Sequence, residues 1–266
     1  MDTFAGKTVL ITGASEGIGR ALALALAPHG ACLALNARNA ARLEETAREC
    51  AARGAQVLAL PGDVSRQAEC TLLASRTAQR FGRIDALVNN AGITMWSRFD
   101  AVSDFSVFER LLAVNYLGAV YLTAAALPHL RESRGLIVAV ASLAGLTGVP
   151  ERTGYAASKH ALVGFFESLR IELRGSGVDI TIVAPDFVRS ELHRRAIGPD
   201  GRSLGQSPMQ EPHIMTAQQC AQLIVAAMRR RRLLITSTRG RLGRWARLIA
   251  PGLVDAAAAR AIRKRR

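Results

Sequence analysis

At 266 residues, 49% hydrophobic but only 5% aromatic, the chain can bury one large core built mainly from Ala, Leu, Val and Ile. Cys32, Cys50, Cys70 and Cys220 show no paired spacing and the five histidines no metal-ligand spacing; this argues against a disulfide framework or a zinc site and fits a reducing, cytoplasmic setting. The net charge of +14 is unevenly spread: thirteen basic residues and one acid lie from Arg229 onward, so +12 sits there and the remainder is near neutral at +2.

The first residues lack a signal-peptide layout. Residues 8–12 form a short apolar run, expected to be a buried strand. Gly13-Ala14-Ser15-Glu16-Gly17-Ile18-Gly19 follows and opens an Ala/Leu-rich helix that Pro28 and Gly30 end. Strand, glycine-rich turn and helix is the setting of a dinucleotide site. The helix N-terminus offers free N–H groups to a pyrophosphate, and glycines let the backbone come close. Gly13, Ser15, Glu16, Gly17, Ile18 and Gly19 are therefore candidate cofactor contacts. Their spacing is G-x-x-x-G-x-G, not the commoner G-x-G-x-x-G.

Residues 31–37 predict a second strand. No acid follows it to take a ribose 2′-hydroxyl, whereas Arg38 is placed to accommodate a 2′-phosphate, so NADP is expected over NAD. Glu16 argues the other way, because its charge would oppose a nearby phosphate. A helix (40–53) and a strand (56–60) lead to Asp63 and Val64, two further cofactor candidates. Asp63 either accepts from an adenine amino group or caps the next helix, with Ser65 as the other candidate cap. That helix runs to Phe81-Gly82. The fourth strand, 85–89, leads into Asn90, Ala91 and Gly92, also cofactor candidates.

Residues 111–130 carry no charge, and a hydropathy window flags them as long enough to span a membrane. Asn115, Gly118, Thr123, Pro128 and His129 interrupt the run between sheet units, so it is expected to be a buried helix. A strand at 136–141 ends at Ser142. A helix carrying Tyr155 runs to about residue 174, followed by a strand at 178–184, a helix at 217–230 and a last strand at 233–236. Such alternation predicts one α/β domain, a parallel sheet reached by right-handed crossovers and covered by helices on both faces. Ligands of such sheets lie beyond the carboxyl ends of the strands. The glycine turn, Arg38, Asp63, Asn90, Ser142 and Pro185 all follow strand ends and are expected to share one rim.

Tyr155 and Lys159 are four residues apart, hence on one helical face. A phenol is a poor acid or base near neutrality, with an ordinary pKa of about 10. A cation one turn away favours its phenolate form. The pair is a candidate general acid/base.

Taken together, Thr12-Gly13-x-x-x-Gly17-Ile18-Gly19, Asp63, Asn89-Asn90-Ala91-Gly92, Asn115, Ser142, Tyr155-x-x-x-Lys159 and Pro185 resemble the short-chain dehydrogenase/reductase family, in its order and separations, over about residues 7–236. The resemblance implies a Rossmann-like doubly wound parallel sheet of about seven strands, in the order 3-2-1-4-5-6-7, and an oxidoreductase acting on a ketone or secondary alcohol. It implies that Tyr155 exchanges a proton with the substrate oxygen while Ser142 hydrogen-bonds that oxygen. Lys159 would lower the tyrosine pKa and hold the nicotinamide ribose. Asn115 would hold a water near Lys159 through its backbone carbonyl, and hydride would pass between substrate carbon and nicotinamide. It also implies a homodimer or homotetramer, paired through the long apolar helix and the tyrosine helix. The chain departs from the family at Pro185-Asp186, where Pro-Gly is usual. Asp186 would tighten the pocket or add charge there. Val188 stays in place to bond the carboxamide through its backbone, and Ser190 stands where the family often has Thr.

Residues 186–215 read as a substrate lid, apolar at Leu192, Ile197, Leu204, Met209 and Ile214. Residues 1–238 form the expected domain and 239–266 a basic helical extension. In the extension, Leu242, Trp245, Leu248 and Ile249 fall at helical spacing with Arg241, Arg244 and Arg247 between them, and a second helix (253–263) runs into a basic end. Such a tail either lies on an anionic membrane surface, making the protein peripheral, or packs on the body or a partner subunit. No nucleic-acid recognition motif accompanies the charge. The alternative function is a cofactor-binding surface module whose active part is this tail; the intact Asn-Ser-Tyr-Lys set argues against it.

Overall fold

The computed structural model describes residues 3–189, 191–208, 214–230, 234–236 and 238–263. The apolar runs become strands covered on both faces, and the pleat sorts their side chains. In β1 (Thr8–Thr12), Val9 and Ile11 enter one apolar cluster and Leu10 enters the other. The chain continues through α1 (Gly17–Leu26), β2 (Cys32–Ala37), α2 (Ala40–Ala52), β3 (Gln56–Pro61), α3 (Gln67–Phe81) and β4 (Ala86–Asn89). Next, α4 (Ser106–Leu112) passes through a π turn (Ala113–Leu117) into α5 (Gly118–Ser133), followed by β5 (Leu136–Val140), α6 (Thr153–Glu172) and β6 (Asp179–Ala184). The last elements are β7 (Val188–Arg189), β8 (Met215–Thr216), α7 (Ala217–Arg230), β9 (Leu234–Thr236), α8 (Thr238–Ile249) and α9 (Pro251–Arg263).

The main sheet is parallel and runs β3-β2-β1-β4-β5-β6-β9, the expected order. Six strands have four to six residues; the seventh, at the edge, has three. Helices α1, α2 and α7 cover one face, and α3, α5 and α6 the other. Because β1 and β4 are neighbours whose connections leave to opposite faces, a crevice opens above their carboxyl ends.

The uncharged run at 111–130 lies within a longer helical stretch, Ser106–Ser133, the one helix among the described residues that is long and apolar enough to cross a membrane. Its Leu111, Leu122, Ala126 and Leu130 are buried in the domain. The π turn in its middle has a local cause. The Asn115 side chain is buried and pinned: Oδ1 accepts from Ile93 N at 2.8 Å, while Nδ2 donates to Ile93 O and to Ser158 Oγ, both at 2.9 Å. The expected cap of α3 is corrected. Neither Asp63 nor Ser65 caps it; α3 starts at Gln67 with Arg66 at its N-cap. The Asp63 carboxylate instead accepts from Ser65 N and Oγ at 3.0 and 2.8 Å, closing a turn one step earlier.

The lid segment is pinned at both ends. Val188 and Arg189 pair with Met215 and Thr216, and Ile197 bridges to Met95 and Ser203. Ser190, Met209 and Leu233 lie outside the described residues. In the tail, the apolar side chains do not pack on the body: Leu242, Trp245, Leu248, Ile249 and Leu253 are 66–81% exposed.

Candidate active site

The crevice is one open cleft of about 250 Å³, with the glycine turn at one end and Tyr155 at the other. At the turn, β1 and β4 are stapled together. The Thr12 hydroxyl accepts from Asn90 N and Ala91 N at 2.9 and 3.0 Å and donates to Val88 O at 3.3 Å. Asn90 Nδ2 donates to Thr12 O at 2.8 Å and Gly13 O at 3.3 Å. Gly13 and Gly17 hold φ of 65° and 56°, the left-handed region that disfavours a Cβ. Gly19 has no room for one: a Cβ there would collide with Gly13 O and stand 2.6 Å from Asn90 Nδ2. This cradle, with the N-terminus of α1 behind it, fits a dinucleotide pyrophosphate.

Gly13, Ser15, Glu16, Gly17, Ile18, Arg38, Asp63, Val64, Asn90, Ala91, Gly92, Ser142, Tyr155, Lys159 and Val188 all line this cleft, as does Asp186. Gly19 and Asn115 are not on its wall; each supports a wall residue from behind. Arg38 is exposed at the rim. The objection raised by Glu16 is met by two arginines: its carboxylate binds Arg42 at 2.9 Å and Arg195, from the lid, at 2.8 Å.

At the other end, α6 carries Tyr155 and Lys159, 6% and 4% exposed. Lys159 Nζ donates to Val140 O at 2.9 Å and lies 5.9 Å from the centre of the Tyr155 ring. Burial pushes this ammonium down to about 8. Gly92 lies against Asn115 and Lys159: a Cβ there would stand 3.2 Å from Asn115 Oδ1 and 3.6 Å from Lys159 Nζ. Ser142, two residues past the end of β5, accepts from Ala144 N at 3.2 Å through its hydroxyl and lines the cleft.

Five residues that sequence reasoning did not single out close this end. Arg152, at the N-cap of α6, is 3% exposed and lies against the rings of Tyr155, Trp96 and Phe187. Arg152 Nη2 donates to Thr94 Oγ1 at 2.5 Å. His193, from the lid, sits 6.3 Å from the Phe187 ring. Burial, then the Arg152 charge, pushes His193 down to about 4, against a backbone hydrogen bond with Val188. A signal did exist in the sequence: Arg152 stands three residues before Tyr155, one turn away on the same helix.

The sequence profile of the family described as short chain dehydrogenase matches residues 7–198. Among the relatives, 11-beta-hydroxysteroid dehydrogenase 1A of Arabidopsis thaliana is 42% identical over 238 residues, covering 87% of this chain and 68% of the relative. 11-beta-hydroxysteroid dehydrogenase A of Sesamum indicum is 37% identical over 258 residues, covering 94% and 74%. Among solved structures, a short chain dehydrogenase/reductase from Burkholderia phymatum in complex with NAD superposes with a TM-score of 0.80 at 28% identity, covering 91% of this chain and 92% of that one. An alcohol dehydrogenase from the archaeon Thermococcus sibiricus complexed with 5-hydroxy-NADP gives 0.77 at 27% identity, covering 87% and 95%. With the parallel sheet, the glycine cradle and the Tyr155–Lys159 pair already in place, these matches show that the chain belongs to the short-chain dehydrogenase family of oxidoreductases.

Proposed function

We propose that the protein is an NADPH-linked oxidoreductase that interconverts a ketone and a secondary alcohol, with Tyr155 as the general acid/base. The observation that carries this is one cleft holding the glycine cradle at one end and Tyr155, Ser142 and a buried Lys159 at the other. A nicotinamide cofactor supplies hydride. Gly13, Ser15, Glu16, Gly17, Ile18, Asn90, Ala91 and Gly92 line the cleft and would hold the cofactor phosphates and ribose; Asp63 and Val64 would hold the adenine, and Val188 would bond the carboxamide through its backbone. Tyr155 gives its phenolic proton to the carbonyl oxygen, and Ser142 Oγ donates a hydrogen bond to the same oxygen. The Lys159 charge stabilises the phenolate left behind. Asn115 anchors the π turn so that the backbone beside Lys159 can hold a water for proton return. NADP over NAD is supported by Arg38 where an acid would take the 2′-hydroxyl, and by the two arginines that neutralise Glu16. The names of the plant relatives support a substrate bearing a hydroxyl or keto group.

Tyr155→Phe removes the proton and keeps the ring. Turnover of a ketone panel, followed by NADPH absorbance, is expected to fall at least about 1000-fold while the Kd for NADPH changes less than about threefold. Equal turnover in the variant overturns the assignment.

A second proposal concerns the tail. We read residues 1–238 as the catalytic domain and 239–266 as an appended membrane-surface anchor. The exposure of Leu242, Trp245, Leu248, Ile249 and Leu253 favours this over packing on the body. On this view the enzyme is cytoplasmic and peripheral. Pairing of copies through α5 and α6 as a homodimer or homotetramer belongs to the same proposal.

A further inference from the structure

Among the described residues, Arg152 is a charge buried without a counter-charge. It is 3% exposed, yet it lines the cleft at the Tyr155 end. Its guanidinium carbon lies 4.4 Å from the centre of the Tyr155 ring, 5.1 Å from that of Trp96 and 5.9 Å from that of Phe187. Its hydrogen bond goes to Thr94 Oγ1, and its Nε is buried with no partner. The nearby carboxylates are engaged elsewhere. Glu151 accepts from Trp96 Nε1 at 2.9 Å, and Asp186 accepts from Phe187 N at 2.9 Å.

Burying a cation carries a large desolvation cost unless something compensates it. Ring faces supply part of that through the quadrupole. They cannot serve the in-plane N–H groups, which need acceptors in the guanidinium plane. Of the buried side-chain polar atoms without a partner among the described residues, two stand at this corner: Arg152 Nε and His193 Nδ1. A corner with that demand is built for a ligand acceptor.

We propose that Arg152 anchors a substrate carboxylate, so that the preferred substrate is a keto acid and the product the matching hydroxy acid. This deepens the reductase reading above and rests on it for the chemistry, not for the binding. The guanidinium fork matches the two oxygens of a planar carboxylate. His193, neutral at pH 7, adds no second charge, so the corner suits a monoanion better than a phosphate. Because the guanidinium stacks on the Tyr155 ring itself, the carboxylate lies close to the oxygen that Tyr155 protonates, which selects an acid with its keto group adjacent or one carbon away. The keto carbon takes hydride from NADPH and its oxygen takes a proton from Tyr155, giving the hydroxy acid and NADP⁺. The glycine cradle that fits the cofactor phosphates is at the far end of the cleft and does not compete for Arg152.

The test compares benzoylformate with its methyl ester at matched ionic strength, in the wild type, Arg152→Met and Arg152→Lys. The wild type is expected to prefer the acid in kcat/KM by about 100-fold, and Arg152→Met to lose that ratio, with Arg152→Lys retaining part of it. Acid and ester used equally well by the wild type overturns the proposal. So does an unchanged ratio in Arg152→Met, since a guanidinium that only tuned the phenol would shift the pH profile and lower both substrates alike. Calorimetry with NADP⁺ present reads the same site without turnover: saturable heat with benzoylformate, lost in Arg152→Met, supports the anchor, and no saturable heat in the wild type overturns it. Binding without turnover of either compound sinks the reductase reading and leaves the anchor standing. Arg152→Gln replaces Arg152→Met if the latter does not fold.

Discussion

Lys159 shows how one side chain carries both a cost and a function. Its ammonium is 4% exposed and keeps one backbone acceptor, Val140 O, and burial lowers it from its ordinary 10.5 to about 8. Between those two values the unfolded chain holds a proton that the folded chain has released, so raising the pH favours the folded state there, and the penalty is carried in full below pH 8. Relative to Lys159→Met, the wild type is expected to gain about 2–3 kcal/mol of stability between pH 7 and pH 10. Denaturant unfolding of both proteins across that range measures it; parallel pH curves would show that the amine is not desolvated as described. The ammonium is retained despite this cost because a charge near Tyr155 is what the proposed proton transfer requires.

The β1–α1 turn and β4 behave as one element at the cradle. Asn90 and Thr12 tie the two strand ends together, and Gly19 sits where α1 passes closest to the turn. Gly19→Ala places a methyl against backbone, which cannot yield as a flexible side chain would. The expected cost is about 1–3 kcal/mol of stability, with NADPH binding lost as the turn is displaced. Thermal melts with and without NADPH test this: the variant should melt lower and show no cofactor-induced rise. A normal rise would mean that the turn adapts and that this packing is not what shapes the site. The π turn between α4 and α5 is a second such element. One side chain, Asn115, links it to Ile93 and to α6 through Ser158, so the loop after β4 and the helix bearing Tyr155 are held by a common residue.

Over the whole molecule, charge and apolar exposure are unevenly divided: residues 1–238 carry a net charge of +6, and the two-helix tail of residues 239–266 carries +8 on far fewer residues. The tail combines arginines with apolar side chains that the domain leaves exposed. Flotation on anionic vesicles should carry the full chain and leave behind a chain lacking residues 239–266, and the difference should shrink as salt rises. Flotation that is unaffected by the deletion, or by salt, overturns the membrane reading of the tail.

Sequence periodicity and strand-end residues were enough to derive a parallel sheet covered on both faces, the glycine cradle and the Tyr155–Lys159 pair, while the strand order came from the family resemblance. These features are local: apolar runs make buried strands, glycines make the turn, and helical spacing aligns the pair. Other features depend on segments far apart in the chain meeting in space. The bond from Arg195 of the lid to Glu16 spans 179 positions, so no spacing rule could show that the acid in the phosphate loop is neutralised. The corner around Arg152 joins the loop after β4, the N-cap of α6, the loop after β6 and the lid. Only folding removes Arg152 from water and leaves its Nε without an acceptor, because desolvation is a property of the packed whole and not of any stretch of sequence.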